Sequence, residues 1–575
     1  MHTYKWQHLI SLAVLSLLSS FVAAADLQVR LQPSNAELRD NIINHIGDLG
    51  DRSERELIRY RPIAVGQAEG ALQALGYYRS EIQAEVRGGE TPSLILRIRS
   101  GPPVRLGNVT VRVQGPAAQQ PGFTVPRDLL RRGEVLHHGR YEDTKQNILN
   151  QASRYGYFAG RFTRQRLEVD PEAGLANVEL IFDSGPRYRL GNLSFEGDAP
   201  FDEDLLQRMV TLERGQPYDA EQIAEANQAL QGSGYFSGVR VDANPAMAEQ
   251  EVIPVVVNLT ARPPRTLGVG PGFSTDVGPR LRFEWIRHWI NPQGHRYGVE
   301  AEVAAPRQNL AFWYEMPRDP PLTDKLRFAG GYQYEEIAGT DSISRLLTVG
   351  PEWHRQLPNG WDRIYSLKWQ HEQYDLGDDS GTSSLLMPGV AYSFLRSDSR
   401  VDPNRGYRLG FALSVAKEGL LSDTDLVHGD ANLRGLITLW DRHRFLGRLQ
   451  VGGNLSGEYG AVPPSLRYFA GGDQSVRGYD YQSLSPTNAA GDRVGGRYQF
   501  ATSAEYQYAL TDRWRVATFI DQGNAFNSLD LPSLKSSVGV GVRWVSPVGP
   551  IRVDLAHPLD SDGGVRLHFT VGPEL

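Results

Sequence analysis

Residues 537–544 read Ser-Val-Gly-Val-Gly-Val-Arg-Trp. Val538, Val540, Val542 and Trp544 fall on one side of an extended chain; Ser537, Gly539, Gly541 and Arg543 fall on the other. Strict alternation marks a strand with one apolar and one polar face. The same pattern sets Tyr498, Phe500, Thr502, Ala504, Tyr506 and Tyr508 against Arg497, Gln499, Ser503, Glu505 and Gln507. It also sets Val565, Leu567, Phe569 and Val571 against Arg566, His568 and Thr570. Working back toward Arg265, sixteen such segments begin near Thr266, Pro279, Gly294, Arg307, Lys325, Ser342, Asp362, Ser383, Tyr407, Asp425, His443, Arg497, Trp514, Ser536, Pro550 and Val565. Gly, Pro, Asp and Asn separate them, at a mean spacing of about 19 residues. That spacing suits a tilted spanning strand of about 9–11 residues plus a turn.

The composition narrows the setting. Of 575 residues none is cysteine, so disulfide scaffolds and thiolate metal or redox sites are excluded. Mean hydropathy is -0.40. Beyond the first 25 residues there is no apolar run of about 18, so no membrane-spanning helix is available. Aromatic residues nevertheless make up 10% and glycines number 60. Polar on average yet rich in aromatics and glycine is the composition of a transmembrane β-barrel. The net charge of -7 gives no support for a nucleic-acid partner. At the N-terminus, Lys5, the apolar stretch Leu9–Val22 and Ala23-Ala24-Ala25 read as a secretory signal peptide over residues 1–25. An even strand count puts both barrel ends on one side, the side of the preceding N-terminal region.

That region, 26–264, is repetitive. Gly76-Tyr77-Tyr78 returns as Gly156-Tyr157-Phe158 and Gly234-Tyr235-Phe236, about 80 residues apart each time. Each copy closes a helical pattern, with glycine as the stop, and leads into alternating strands such as Ser93–Arg99. A second string, GPPVRLGN from Gly101, returns as GPRYRLGN from Gly185 and marks the junctions. The expected unit is strand, helix, helix, strand, strand. Three units are expected at 26–102, 103–187 and 188–264, followed by a barrel over 265–575.

One connection, residues 457–496, is far longer than the rest. Loops beyond about 12–15 residues are usually functional or disordered, and the aromatics and glycines of this one favour a folded loop. It contains Phe469-Ala-Gly-Gly472 and Val476-Arg477-Gly478-Tyr479. With VRGY in a long sixth loop, three repeated βααββ units and a sixteen-strand barrel, the chain resembles the outer-membrane assembly and translocation superfamily of POTRA-bearing barrels. The three units and the ending Val571-Gly-Pro-Glu-Leu575 resemble its TamA branch. The resemblance implies a multidomain fold of three βααββ POTRA domains and a 16-stranded antiparallel transmembrane β-barrel. It implies that Arg477 folds into the lumen and pairs with Glu505 (in SAEYQY) and Asp521 (in FIDQG, ending at Gly523). Alternation independently places both acids on inward faces. An arginine fork binds carboxylates bidentately, and the expected role is to lock the loop in one position.

The first barrel strand, Arg265-Thr-Leu-Gly-Val-Gly-Pro-Gly-Phe273, carries Gly268, Gly270, Pro271 and Gly272. Glycine weakens a strand and proline lacks a ladder donor, so closure against Leu567 and Phe569 of the last strand is expected to be a weak seam. The resemblance makes that junction a lateral gate on which a substrate strand can add. It also implies a TamB-like inner-membrane-anchored partner at the first POTRA unit, autotransporter-type barrel substrates and contact with outer-membrane lipid, with the POTRA units in the periplasm. A general barrel assembler or a two-partner-secretion transporter is the alternative within the superfamily; a passive channel with docking domains is the alternative outside it. Asp398–Tyr407 resembles the family's periplasmic turn between the eighth and ninth strands, and a tight Pro/Asn/Gly turn accounts for it. His137-His138 lacks further ligands at suitable spacing, no Ser/His/Asp set stands out, and Gly268-x-Gly270-x-Gly272 starts no helix. The expectation is therefore a protein that is not an enzyme and has no cofactor or metal.

Overall fold

The computed structural model describes residues 25–571 apart from 127, 338–341, 377–378, 400–401, 531–532, 547–548 and 562. The signal-peptide reading and the last four residues of the VGPEL ending lie outside the described residues. The chain forms two compact units. One comprises residues up to 192 with 212–224 and 243–255; the other comprises 193–211, 225–242 and everything from 256.

The first module runs β1 (Asp26–Gln32), α1 (Ala36–Ile46), α2 (Glu54–Ala74), β2 (Glu81–Arg87) and β3 (Ser93–Arg99), with sheet order β1-β3-β2. A capping box starts α2: Ser53 and Glu56 satisfy each other's orphan backbone donors. Its Leu57, Ala64, Ala68, Ala71 and Leu72 pack with Leu94, Leu96 and Ile98 of the central strand into one core. The helix stops at the first repeat glycine, Gly76, at φ +87; Gly156 and Gly234 take φ +78 and +82. Those left-handed positions explain why the repeat keeps glycine there.

The second module departs from the expected plan. It has β4 (Arg105–Gln114), a short 3-10 turn at Pro116–Gln119, one helix α3 (His138–Arg154), β5 (Arg161–Asp170) and β6 (Leu175–Asp183), in sheet order β4-β6-β5. The first of its two expected helices is reduced to that turn. Pro116, Pro121, Gly122, Pro126 and Gly133 crowd the segment where it would lie, and proline and glycine oppose a helix interior. The third module runs β7 (Arg189–Gly197), α4 (Glu203–Met209), α5 (Ala220–Gly232), β8 (Phe236–Asp242) and β9 (Val252–Ala261), in order β7-β9-β8.

The remainder is one antiparallel meander of sixteen strands in sequence order. Its first half is β10 (Arg265–Ser274), β11 (Gly278–Arg287), β12 (Arg296–Ala304), β13 (Arg307–Pro317), β14 (Asp324–Ile337), β15 (Ser342–Gln356), β16 (Asp362–Leu376) and β17 (Asp379–Ser397). The second half is β18 (Arg405–Ala416), β19 (Leu426–Leu439), β20 (His443–Leu455), β21 (Tyr498–Ala509), β22 (Trp514–Phe526), β23 (Lys535–Ser546), β24 (Gly549–Pro558) and β25 (Arg566–Val571). Lengths run from 6 residues in β25 to 19 in β17, so several strands exceed the expected span. Outward positions carry exposed apolar side chains such as Leu267, Val269, Phe411, Val540 and Leu555; inward positions carry buried Arg444, Arg543, Asp521 and Asp554. A barrel with polar residues inside and an apolar band outside is stable only in lipid.

Candidate functional site: an inward-folded loop and an open seam

Residues between β20 and β21 fold on themselves through short 3-10 turns at Tyr459–Ala461 and Pro464–Leu466 and through isolated bridges, including Tyr468 with Gly496 and Ala470 with Leu484. Ala470, Val476, Tyr479 and Leu484 make a small core of the loop's own. This core presents Arg477 to the lumen wall. Its Nε donates to Asp521 Oδ2 at 2.7 Å and its Nη2 to Asp521 Oδ1 at 2.9 Å, a two-pronged grip. Nη1 donates to Glu505 Oε2 at 2.9 Å and to Asp554 Oδ2 at 3.0 Å. Nη2 also reaches Ser503 Oγ at 3.2 Å, and the guanidinium carbon lies 3.3 Å from the centroid of the Phe519 ring. Arg543 completes the cluster, donating to Glu505 Oε1 at 2.8 Å and Asp554 Oδ1 at 2.5 Å.

Two arginines and three carboxylates are therefore enclosed together, with Asp521 and Arg543 fully buried. Glu505 and Asp521 meet Arg477 directly. Asp554, Arg543, Ser503 and Phe519 were not anticipated as partners, although alternation already put Arg543 on a polar face. The other motif residues have separate jobs. Val476 and Tyr479 belong to the loop core, and Tyr479 Oη donates to the Ser536 carbonyl at 3.3 Å. Gly478 sits at φ +91, with Ser537, Ala556 and Pro558 closing on the space a Cβ would take. Gly523 does not touch Arg477; it lies opposite Ala501, where a Cβ would come 2.6 Å from the Phe500 carbonyl oxygen. The glycines of the opening SVGVGVRW stretch serve the same cluster: Gly539 makes room for Phe519, and Gly541 for Asp554 and Arg543.

The loop also reaches the seam. Among the described residues β10 and β25 are the two ends of the sheet, with no ladder between them. Just after β10, Thr275 N donates to Phe569 O at 3.3 Å and Phe569 N donates to Thr275 Oγ1 at 3.1 Å, and the Phe273 and Phe569 rings lie 5.6 Å apart. Gly268, Gly270 and Gly272 share the inward face of β10, and a Cβ at Gly270 would meet nothing within 4 Å. Pro271 lies on the outward face between Val269 and Phe273, and Leu567 of β25 also points outward, 56% exposed. None of these five joins β10 to β25. A clasp from loop six spans the gap instead. Asp473 accepts from Thr275 Oγ1 at 2.8 Å and contacts His568 Nδ1 at 2.6 Å, while Gly478 N donates to His568 Nε2 at 2.8 Å. The accepting Nε2 makes Nδ1 the protonated nitrogen, so His568 donates to Asp473. Asp473 N donates in turn to Asp276 Oδ2 at 2.9 Å. Burial, then the neighbouring charge of Asp473, pushes the Asp276 carboxyl in the first hairpin turn up to about 7. Asp276, Asp473 and His568 are close enough to share a cation, but protein hydrogen bonds already engage all three.

At the opposite end, the turn between β17 and β18 does more than reverse the chain. Asp398 accepts from the backbone N–H groups of Asn404 and Arg405, and Asp402 receives Arg515 at 2.9 and 2.6 Å and Arg444 at 3.2 Å. Burial opposes ionisation of Asp402, yet these arginines outweigh it and hold the carboxyl below its ordinary range. His137 caps α3, and His138 Nε2 lies 2.5 Å from Tyr78 Oη.

A lipid-facing barrel whose longest loop is turned inward and held by buried charge, preceded in sequence by small sheet-and-helix modules, is the architecture of the POTRA-bearing outer-membrane barrels. The chain belongs to the Omp85 superfamily: the model of the Omp85 superfamily domain matches residues 278–574. The model described as POTRA domain TamA domain 1 matches residues 28–100, and a POTRA model described as surface antigen variable number repeat matches 188–262. The outer membrane protein assembly factor BamA of Neorickettsia risticii is 22% identical over 530 residues, covering 86% of this chain and 69% of that relative. BamA of Nitratidesulfovibrio vulgaris is 24% identical over 445 residues, covering 73% of this chain and 55% of that relative. The crystal structure of BamA from Haemophilus ducreyi lacking POTRA domains 1-3 shares the fold, with a TM-score of 0.67 at 15% identity over 81% of this chain and 99% of that one. Superfamily members are outer-membrane proteins of assembly and transport.

Proposed function

We propose that this protein is a TamA-type insertase of the bacterial outer membrane. It acts without chemistry of its own, assisting insertion of autotransporter-type barrels through a lateral gate between β10 and β25. The observation that carries the reading is the unladdered seam, bridged by a loop that is itself bound to the far strands. A substrate strand can add to either free edge by backbone hydrogen bonds, and burial of its apolar face in lipid drives the step. The match of residues 28–100 to a TamA-type POTRA domain supports the TamA branch over a BamA-like assembler or a secretion transporter. It also supports a TamB-like partner at that module, with the POTRA modules in the periplasm.

Ser274→Cys with Thr570→Cys tests the gate, because both positions line the inner side of the seam and the chain has no other thiol. The oxidised, locked barrel should lose insertion of a substrate barrel and regain it on reduction. Equal insertion by locked and reduced protein would overturn the gate and favour a passive channel.

A further inference from the structure

Many inward arginines of the barrel have carboxylate partners. Arg477 and Arg543 hold Glu505, Asp521 and Asp554; Arg515 holds Asp402; Arg296 and Arg327 hold Glu315; Arg307 holds Glu302. Strands β18, β19 and β20 break this habit. Arg408 lies directly opposite Arg434, and Arg434 directly opposite Arg448. All three are inward, since Tyr407, Leu433 and Phe445 occupy the outward face. With neighbouring strands about 4.8 Å apart, three guanidinium side chains leave the wall within about 10 Å of one another. Like charges directly opposite are destabilising.

Their hydrogen bonds go to neutral groups: Arg434 Nη2 donates to Gln474 Oε1 at 3.2 Å, and Arg448 Nη2 to the Ser475 carbonyl at 2.5 Å, while the charge of Asp521 also reaches Arg448. Among the described residues, none of the three has a carboxylate within ion-pairing distance. Arg434 borders a cavity of about 710 Å³ that Arg280, Arg307 and Arg552 also line, and that extends to Ser274 and Thr570 at the seam. The acids on its wall are engaged: Asp430 with His428 at 2.9 Å, and Asp276 and Asp473 in the clasp.

We propose that this arginine row is a binding site for a phosphate-class anion, either free or carried on the head group of a lipid that reaches the lumen through the seam. Guanidinium forks on adjacent strands suit a tetrahedral anion with several acceptor oxygens, which can bridge them by charge-assisted bonds and relieve their repulsion. Because Gln474 belongs to loop six, a bound anion would also settle the loop segment next to the clasp. The site does not depend on the insertase reading.

The test is calorimetric titration of the full-length protein in a neutral detergent with inorganic phosphate and with dihexanoyl phosphatidylglycerol. Wild type should bind at least one saturably. Arg434→Gln and Arg408→Gln should each weaken binding about tenfold, while Arg434→Lys keeps most of it. Heat-modifiable gel migration reports whether each variant is folded, and Arg408→Gln provides the reading if Arg434→Gln is not. Phosphate binding without tighter lipid binding assigns a free anion; clearly tighter lipid binding assigns a head group. Absence of saturable binding by both probes, equal binding by both folded glutamine variants and wild type, or binding only of an acidic peptide would overturn the proposal.

Discussion

The lumen wall at β21–β24 and the seam at β10 and β25 are built on opposite principles. The wall places one arginine and three carboxylates around the loop's Arg477, and glycines at 539 and 541 make the space for them. The seam has one backbone bond and one side-chain bond at Thr275, three inward glycines and a clasp borrowed from the loop. Among the described residues the loop, rather than a β-ladder, connects the last strand to the first hairpin.

The contrast can be broken from either side, and the largest effect is expected at the wall. Arg477→Ala leaves buried carboxylates short of a partner, at a cost of about 3–5 kcal/mol. Limited proteolysis should then cut within 457–496, where the wild-type loop is protected. Arg477→Lys keeps the charge but loses the fork and should fall between the two. Gly541→Val, which drives a side chain into Asp554 and Arg543, should loosen the same loop without touching it. Next comes Gly478→Ala, which forces a left-handed backbone on a residue with a Cβ and should cost about 1–2 kcal/mol, read as a lower melting temperature of the folded barrel. At the seam, His568→Ala removes the bonds to Asp473 and from Gly478 N, and Thr275→Val removes the bond to Asp473 and the acceptor of Phe569 N, each bond worth about 1 kcal/mol. A cysteine at Thr570 should become more reactive toward a thiol reagent while the loop stays protected. Loss of loop protection in these variants would mean that wall and seam are one structure rather than two.

The smallest effect is a dependence on pH. Asp276 titrates near 7 in the folded protein, above its ordinary value, so the folded state binds that proton more tightly than the unfolded chain. Its contribution is favourable at lower pH and is lost as pH rises through about 7. The clasp should thus loosen as pH rises from about 4 to about 7 and change little above that, the window lying between the ordinary carboxyl value and the raised one. The facing groups are Asp473, Thr275 and His568. Asp276→Asn should flatten the seam-cysteine reactivity profile over that window; an unchanged slope would assign the dependence elsewhere.

Alternation in the sequence was enough to find the sixteen strands, because inside and outside residues differ in kind. It also put Glu505 and Asp521 inward. It could not show that Asp554 and Arg543 join them, because contacts across a lumen follow from closure of the whole sheet rather than from any local spacing. Asp473, Thr275 and His568 were hidden for the same reason: they come from a loop, a turn and the last strand. The repeat overstated the second module, since similarity at the Gly-Tyr-Phe position carried no information about the proline-rich segment before α3.

Asp402 braces one end of the barrel unequally around its circumference. By tying the turn after β17 to Arg444 of β20 and Arg515 of β22, it braces at one end the same stretch of wall that Arg477 braces from inside. If the seam opens as proposed, the braced β17–β24 side should keep its place and β10 should be the strand that moves.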